Sequence, residues 1–212
     1  MYHARHGSGR NTSVLVDANI LYSRTLRDWL ALLYLDASSD MFEVKWTDDI
    51  MVEFQYNLRK KNPFLDDAQV GGIRRRLEST FGEDSRISGY TVDPAGNYPD
   101  VGDAHVHCAA VHGSVDLLLT NNVKHFREID DLPYEIYTAD EFFELVDDSA
   151  PHVVRTVAAN QLAYHLRKNS NSSTSLPDML KKADAPAFAE RVRKHLQSMD
   201  IEGLLREPAN AQ

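Results

Sequence analysis

The hydrophobic pattern first becomes regular at residues 13–16, SVLV, a short apolar and β-branched run that ends at Asp17. Beyond it, Leu21, Leu26, Trp29, Leu30 and Leu33 recur at helical spacing, which predicts a helix over Asn19 to Asp36. Phe42 to Trp46 reads as a second strand. Thr47 follows as the candidate N-cap of a helix whose first turn holds Asp48 and Asp49, where the helix dipole favours negative charge. This helix runs to about Arg59 and is ended by Pro63. An amphipathic stretch continues to Phe81, a strand is predicted over Arg86 to Val92, and Pro94, Gly96 and Pro99 mark a loop. A further helix is predicted from Val101 to Gly113. The nearly all-apolar run VDLLL (115–119) then has the character of a strand buried on both faces. Tyr134 to Tyr137 gives one more strand, followed by a helix whose start is marked by Thr138 and Asp140.

Strands alternating with helices predict an α/β sandwich around a mainly parallel sheet. After Asp147 the rhythm becomes helical only, over 151–168, 177–182 and 186–198, with the polar break KNSNSSTS at 168–175 between. The expected organisation is a polar N-terminal arm at 1–12, an α/β domain at 13–147 and a helical C-terminal extension at 148–212.

Composition narrows the class. The chain has 212 residues and a single cysteine, Cys108, which cannot close an internal disulfide. Its longest apolar run, Trp29 to Leu35, is far short of the roughly 20 residues needed to span a bilayer, so no membrane association is expected. The first dozen residues contain no apolar signal core, and a cytoplasmic location is the expectation. The net charge is -9, yet its distribution is uneven: residues 1–150 hold 14 basic and 26 acidic side chains, residues 151–212 nine and six. Such a chain repels a polyanion at long range. A nucleic-acid substrate would have to be gripped by local basic clusters, and the two candidates are Arg59, Lys60, Lys61 and Arg74, Arg75, Arg76; each also reads as a solvated helix face.

Ligands of parallel sheets bind beyond the carboxyl ends of the strands. Asp17 ends the first strand, Glu53 lies early in the helix after the second, and Asp103 early in the helix before VDLLL; Asp100 lies just upstream of it and Asn122 just past that strand. Two carboxylates 4 Å apart repel by about 4 kcal/mol at an effective dielectric of 20, so a converging set calls for a cation. Oxygen donors of this kind suit Mg²⁺ or Mn²⁺, which lower the pKa of a bound water and neutralise charge on a phosphodiester.

The segments SVLVDANILYSRTLRDWL, WTDDIMVEFQYNL, YPDVGDAHVHCAAVHG and VDLLLTNNVKHF resemble, in order, the successive motifs of PIN-domain ribonucleases, in particular the VapC-type toxins of bacterial toxin–antitoxin pairs. The resemblance covers about residues 13–147. It implies a PIN-like sandwich and a metal-dependent endoribonuclease that cleaves RNA, restrained by a cognate antitoxin. It puts Asp17, Glu53 and Asp103 at the family's three acidic metal positions, Asn19 at its first-motif asparagine, and Asp100 at an additional acid of this subgroup. Many relatives carry an aspartate after the threonine that follows the fourth strand; here the sequence is Thr120-Asn121-Asn122, and the neutral Asn122 leaves open whether one metal or two are bound. The C-terminal helices resemble, more weakly, an extension behind some of these toxins, and a homo-oligomer is compatible with all of this.

Other constellations compete. His105, Cys108 and His112 share one helix face and offer zinc-type donors, but the outer two stand about 10 Å apart along a straight helix, too far for one ion. The alternative reading packs Cys108 in the core, sets His105 near the acids and His112 at a helix end, and leaves His107 and His125 exposed. An RNA-maturation or structured-DNA nuclease without an antitoxin would share the acidic site. A metal-free PIN-like binding module is the reading from outside enzymology.

Overall fold

The computed structural model of the chain describes residues 11–36, 41–94, 96, 98–129, 131–168 and 175–199. Most of the N-terminal arm and of the Asn/Ser break lie outside the described residues. Four parallel strands, β1 (Thr12–Val16), β2 (Phe42–Lys45), β3 (Leu117–Leu119) and β4 (Glu135–Tyr137), form a sheet in the order β2-β1-β3-β4. The chain is thus an α/β protein with a parallel central sheet flanked by helices. Among the described residues no helix is long and apolar enough to cross a membrane.

The two central strands are the most apolar. Val14, Leu15, Val16, Leu118 and Leu119 are all fully buried, as expected for strands covered on both faces. Val14 pairs with Leu117 and Val16 with Leu119. At the amino end this register is pinned by Asp116, whose Oδ2 accepts from the Ser13 amide at 2.8 Å and the Ser13 hydroxyl at 2.7 Å. The chain leaves β1 for β2 on one side and β3 for β4 on the other, so the carboxyl ends of β1 and β3 flank a topological switch point, the place where open α/β sheets form their binding crevice.

The helices follow the sequence pattern with informative departures. The single helix expected over 19–36 is two, α1 (Ala18–Tyr22) and α2 (Arg24–Asp36), because Ser23 adopts an extended backbone. Arg27 donates to the Leu21 carbonyl freed by the break, at 2.7 Å, while its guanidinium stacks on Phe54. Helix α3 (Asp48–Lys61) is capped by Thr47, which accepts from the Ile50 amide. Helix α4 (Asp67–Phe81) begins at an Asp66/Gln69 capping box. The strand expected over 86–92 does not form: beyond one bridge between Trp46 and Arg86, Gly89 takes a positive φ of 80°, which turns the chain out of the sheet. VDLLL yields only three strand residues, since the Val115 amide is engaged by the Ala110 carbonyl at the end of α5 (Ala104–His112). Between β3 and β4 lies a four-residue helix, α6 (Lys124–Arg127), that no hydrophobic periodicity announces.

The C-terminal helices are built into the same core. Thr138 caps α7 (Ala139–Ser149) through a box with Glu141, whereas Asp140 serves a different helix: its carboxylate accepts from the Ala187 and Phe188 amides at the start of α10 (Pro186–Gln197). Helices α8 (Pro151–Lys168) and α9 (Leu176–Lys182) complete the layer. Phe188 is fully buried, edge-on to Trp29 of α2 at 5.1 Å and tilted against Phe143 of α7 at 5.1 Å. Phe188→Ala should therefore lower the unfolding free energy of the whole chain by about 3–5 kcal/mol in a denaturant titration, with one transition retained. A second, earlier transition confined to the C-terminal helices would contradict a shared core.

Candidate metal centre

The tip of β1 carries the most buried acid near the crevice. Asp17 is 1% exposed. Its Oδ2 accepts from the Thr120 hydroxyl at 2.7 Å and from Asn19 Nδ2 at 2.6 Å, and Asn19 Nδ2 also approaches Thr120 Oγ1 at 2.8 Å. Thr120 follows β3 directly, so the β1–β3 pairing itself brings these groups together across more than 100 residues. Asn19 Oδ1 accepts from the Asn121 backbone N–H, the Thr120 hydroxyl oxygen from the Asn122 backbone N–H, and Asn121 Oδ1 from the Ala139 backbone N–H. Burial pushes the Asp17 carboxyl up to about 6 against the lowering effect of Thr120, and the nearby charges of Asp103 and Glu53 push it further the same way.

Asp103 and Glu53 reach the crevice from opposite sides. Asp103 closes a single tight turn (Val101–Asp103) whose start is capped by Asp100, the Asp100 Oδ1 accepting from the Gly102 amide at 2.8 Å. His125 of α6 lies against both: its Nδ1 is 2.5 Å from Asp103 Oδ2 and 3.5 Å from Asp100 Oδ2. Donor atoms of Asp100, Asp103 and His125 fall within 4.8 Å of one another, close enough to hold a metal ion. Asp17 and Glu53 stand outside this tight group. Glu53, in the second turn of α3, faces His105 of α5, with Oε2 3.3 Å from His105 Nε2, and Asn57 Nδ2 approaches Oε1 at 3.4 Å. Both Glu53 Oε2 and His105 Nδ1 are shut off from solvent with no hydrogen-bond partner. Burial disfavours the charged imidazole of His105, but the Glu53 carboxylate outweighs it, aided by Asp49 and Asp17, so the histidine's pKa is raised.

An open cleft of ≈ 490 Å³ adjoins these acids, lined by Asn19, Tyr22, Glu53, Asn57, Lys60, Lys61 and Asn122. Asn122, the exposed amide after β3, is therefore at the cleft, but the side chain that this loop presents to Asp103 is His125. The expectation of an exposed His125 is corrected: it is half-buried and belongs to the site. His107 is likewise not exposed but half-buried, 2.8 Å from the Tyr134 hydroxyl, and burial lowers its pKa. Cys108 is half-buried beside the Tyr98 hydroxyl, His112 is exposed at the end of α5, and His105 turns to Glu53, so the three do not converge on one ion.

The basic clusters divide. Arg74 is held by Asp48 at 2.8 Å and Glu78 at 2.6 Å, and Arg59 by Asp67, so neither guanidinium faces the cleft. Arg75 and Arg76 are exposed on α4 and do not line it. Lys60 and Lys61 do.

The residues fit a hard divalent cation. Asp17 is raised by burial and by neighbouring carboxylates, and Glu53 Oε2 is buried without a hydrogen bond. The donors of Asp100, Asp103 and His125 lie close enough to hold an ion, a predominantly oxygen set that a hard cation would complement. Compared with protein-family models, curated proteins and solved structures, the chain matches none of them.

The Asp17 shift has a definite sign. With a folded pKa of about 6 above the ordinary 3.8, the native state binds the extra proton between these values. The contribution of Asp17 to stability is thus fully present below about 4 and lost as pH rises through about 6. Asp17→Asn keeps an acceptor for Thr120 and Asn19 but no charge. In metal-free buffer it should unfold at a higher temperature than wild type above pH 6, by a free energy of about 3 kcal/mol, and the gap should close toward pH 4. A pH-independent gap would place the Asp17 titration elsewhere.

Proposed function

We propose that this chain is a metal-dependent endoribonuclease of the PIN type, acting as the toxin of a VapC-type pair. The observation that carries the reading is the buried Asp17 at the switch point of a parallel sheet, its carboxyl raised first by burial and then by the charges of Asp103 and Glu53 nearby. The sequence resemblance assigns the same three positions to metal binding.

In this reading Asp17, Asp103 and Glu53 hold Mg²⁺ or Mn²⁺, with Asp100 and Asn122 assisting. Thr120 and Asn19 fix the orientation of the Asp17 carboxylate, and His125 does so for Asp103, in the manner of outer partners that orient metal ligands. A divalent ion bound there supplies a water of lowered pKa and neutralises charge on the scissile phosphate. His105 keeps Glu53 in place from the far side. The acids Asp17, Glu53, Asp100 and Asp103 beside the cleft also suit restraint by a partner, since an antitoxin Lys or Arg reaching them would be attracted and would compete with the cation.

Mn²⁺ titrated into the purified chain should bind saturably, and Asp103→Ala or Asp17→Ala should abolish detectable binding. His125→Ala, which removes a nitrogen beside Asp103, should weaken binding by 10–100-fold. Absence of saturable binding by the wild type, with single-stranded RNA left intact in Mn²⁺, would leave a metal-free binding module as the better reading. The toxin assignment rests on a separate measurement. Expression of the chain alone should arrest bacterial growth with loss of cellular RNA, and Asp103→Asn should relieve the arrest. Normal growth with abundant soluble protein that still cleaves RNA in vitro would favour a maturation nuclease.

A further inference from the structure

Helix α3 carries Glu53, Asn57, Lys60 and Lys61 at spacings of four, seven and eight residues, which puts them on neighbouring positions of one face. All four line the cleft, together with Tyr22 and Asn19 from the other wall. We propose that Lys60, Lys61 and Asn57 form a subsite for the backbone phosphate of a single-stranded nucleic acid, next to the position cleaved at the acidic centre, with Tyr22 as the residue that positions Lys61. The proposal rests on the nuclease reading above and names how its substrate lies.

Electrostatics select these lysines. In a chain of net charge -9 a polyanion is held only where cations are both free and aimed at its path. Arg59 and Arg74 are committed to internal carboxylates, whereas among the described residues Lys60 and Lys61 take part in no ion pair. A helix C-terminus favours any lysine through its dipole. That effect does not account for the aromatic ring beside one of them: Lys61 Nζ lies 4.3 Å from the centroid of the Tyr22 ring, which restrains an otherwise flexible side chain at the cleft wall.

Distance fixes the role. Seven helical residues separate Glu53 from Lys60 by about 10 Å along α3. The lysines are therefore offset from the acids along α3 and are placed to hold a neighbouring phosphate, so that the strand runs along α3 from the acidic end to the basic end. Between them the cleft wall carries the exposed amide of Asn122. Such a group pairs with a base edge that only an unpaired strand exposes.

The test is fluorescence anisotropy of the full chain in EDTA with a short labelled single-stranded RNA of mixed sequence, read as a function of salt. Lys60→Gln with Lys61→Gln should reduce the slope of log affinity against log salt by about 1.4, close to 0.7 for each lost phosphate contact, and weaken binding about tenfold or more at low salt. Tyr22→Leu should weaken binding while Tyr22→Phe, which keeps the ring, should restore it. Both lysines are exposed, so thermal melting should be unchanged and a folding defect is separable. A wild type that binds RNA but shows an unchanged slope in the double variant overturns the subsite, and Mn²⁺-dependent cleavage in the same samples would leave the nuclease reading standing. A duplex bound as tightly as the single strand, with the same loss of slope, overturns the single-strand assignment. No RNA binding by the wild type overturns the subsite, and lack of cleavage with it removes the nuclease reading too.

Discussion

A carboxylate buried where two parallel strands end is the constraint around which the rest of the molecule is organised. Transfer of an ionised carboxylate from water into a protein interior costs several kcal/mol unless donors replace its hydration. At Asp17 the donors are the Asn19 amide, two residues on, and the Thr120 hydroxyl, which is available only if β1 and β3 are adjacent and in register. At the opposite end of the same pair, Ser13 and Asp116 hold that register. The donors do not fully compensate, since the pKa still rises to about 6. The residual cost is mainly that of burial, with a smaller part from the neighbouring acids Asp103 and Glu53, and it ties the stability of the fold to the protonation of this one carboxyl.

The surrounding charges are sorted in a way that their linear order conceals. Asp48 and Asp49 both open α3, but Asp48 binds Arg74 and Arg86 while Asp49 accepts from the Tyr90 hydroxyl. Much of the acidity of the first 150 residues is thereby neutralised locally by arginines. At the crevice Glu53 faces His105 and Asp103 faces His125, and among the described residues neither acid forms an ion pair with an arginine. An imidazole carries no permanent charge, so such a partner can yield to a cation where an arginine could not.

The parallel α/β architecture was legible in the sequence, and with it the place of the acids. Asp17 and Asp103 sit at element boundaries that the hydrophobic pattern marks, Glu53 sits in the second turn of the helix after β2, and in a parallel sheet such positions share one edge. His125 was not legible, because α6 is four residues long and carries no period, and its contact with Asp103 spans 22 residues. The strand expected at 86–92 shows the converse. Its residues have strand propensity, but Gly89 in the left-handed region and the engagement of Tyr90 with Asp49 draw the segment onto α3. Asp140 illustrates a third case: its position in the first turn of α7 suits the dipole, yet its carboxylate serves α10, 47 residues on. No local rule carries that information, and the shared core of the C-terminal helices follows from it.

The amides at the crevice have their own physical logic. Asn19 donates from Nδ2 to Asp17 and Thr120 while its carbonyl accepts from the Asn121 amide, so both ends of one side chain are used at once. An aspartate there would keep the acceptor, lose the donor, and place a second charge within hydrogen-bond distance of Asp17, raising a pKa already near 6. Asn121 similarly accepts from the Ala139 amide and ties the end of β3 to the start of α7. Asn122 is the one of the three whose side chain is exposed at the cleft. In the proposed nuclease, neutrality there would limit the negative charge that a phosphate meets on entering between the acids and the lysines. The two asparagines after Thr120 thus differ in role: Asn121 is a structural clasp, whereas Asn122, in that reading, lowers the electrostatic barrier along the path of a polyanion.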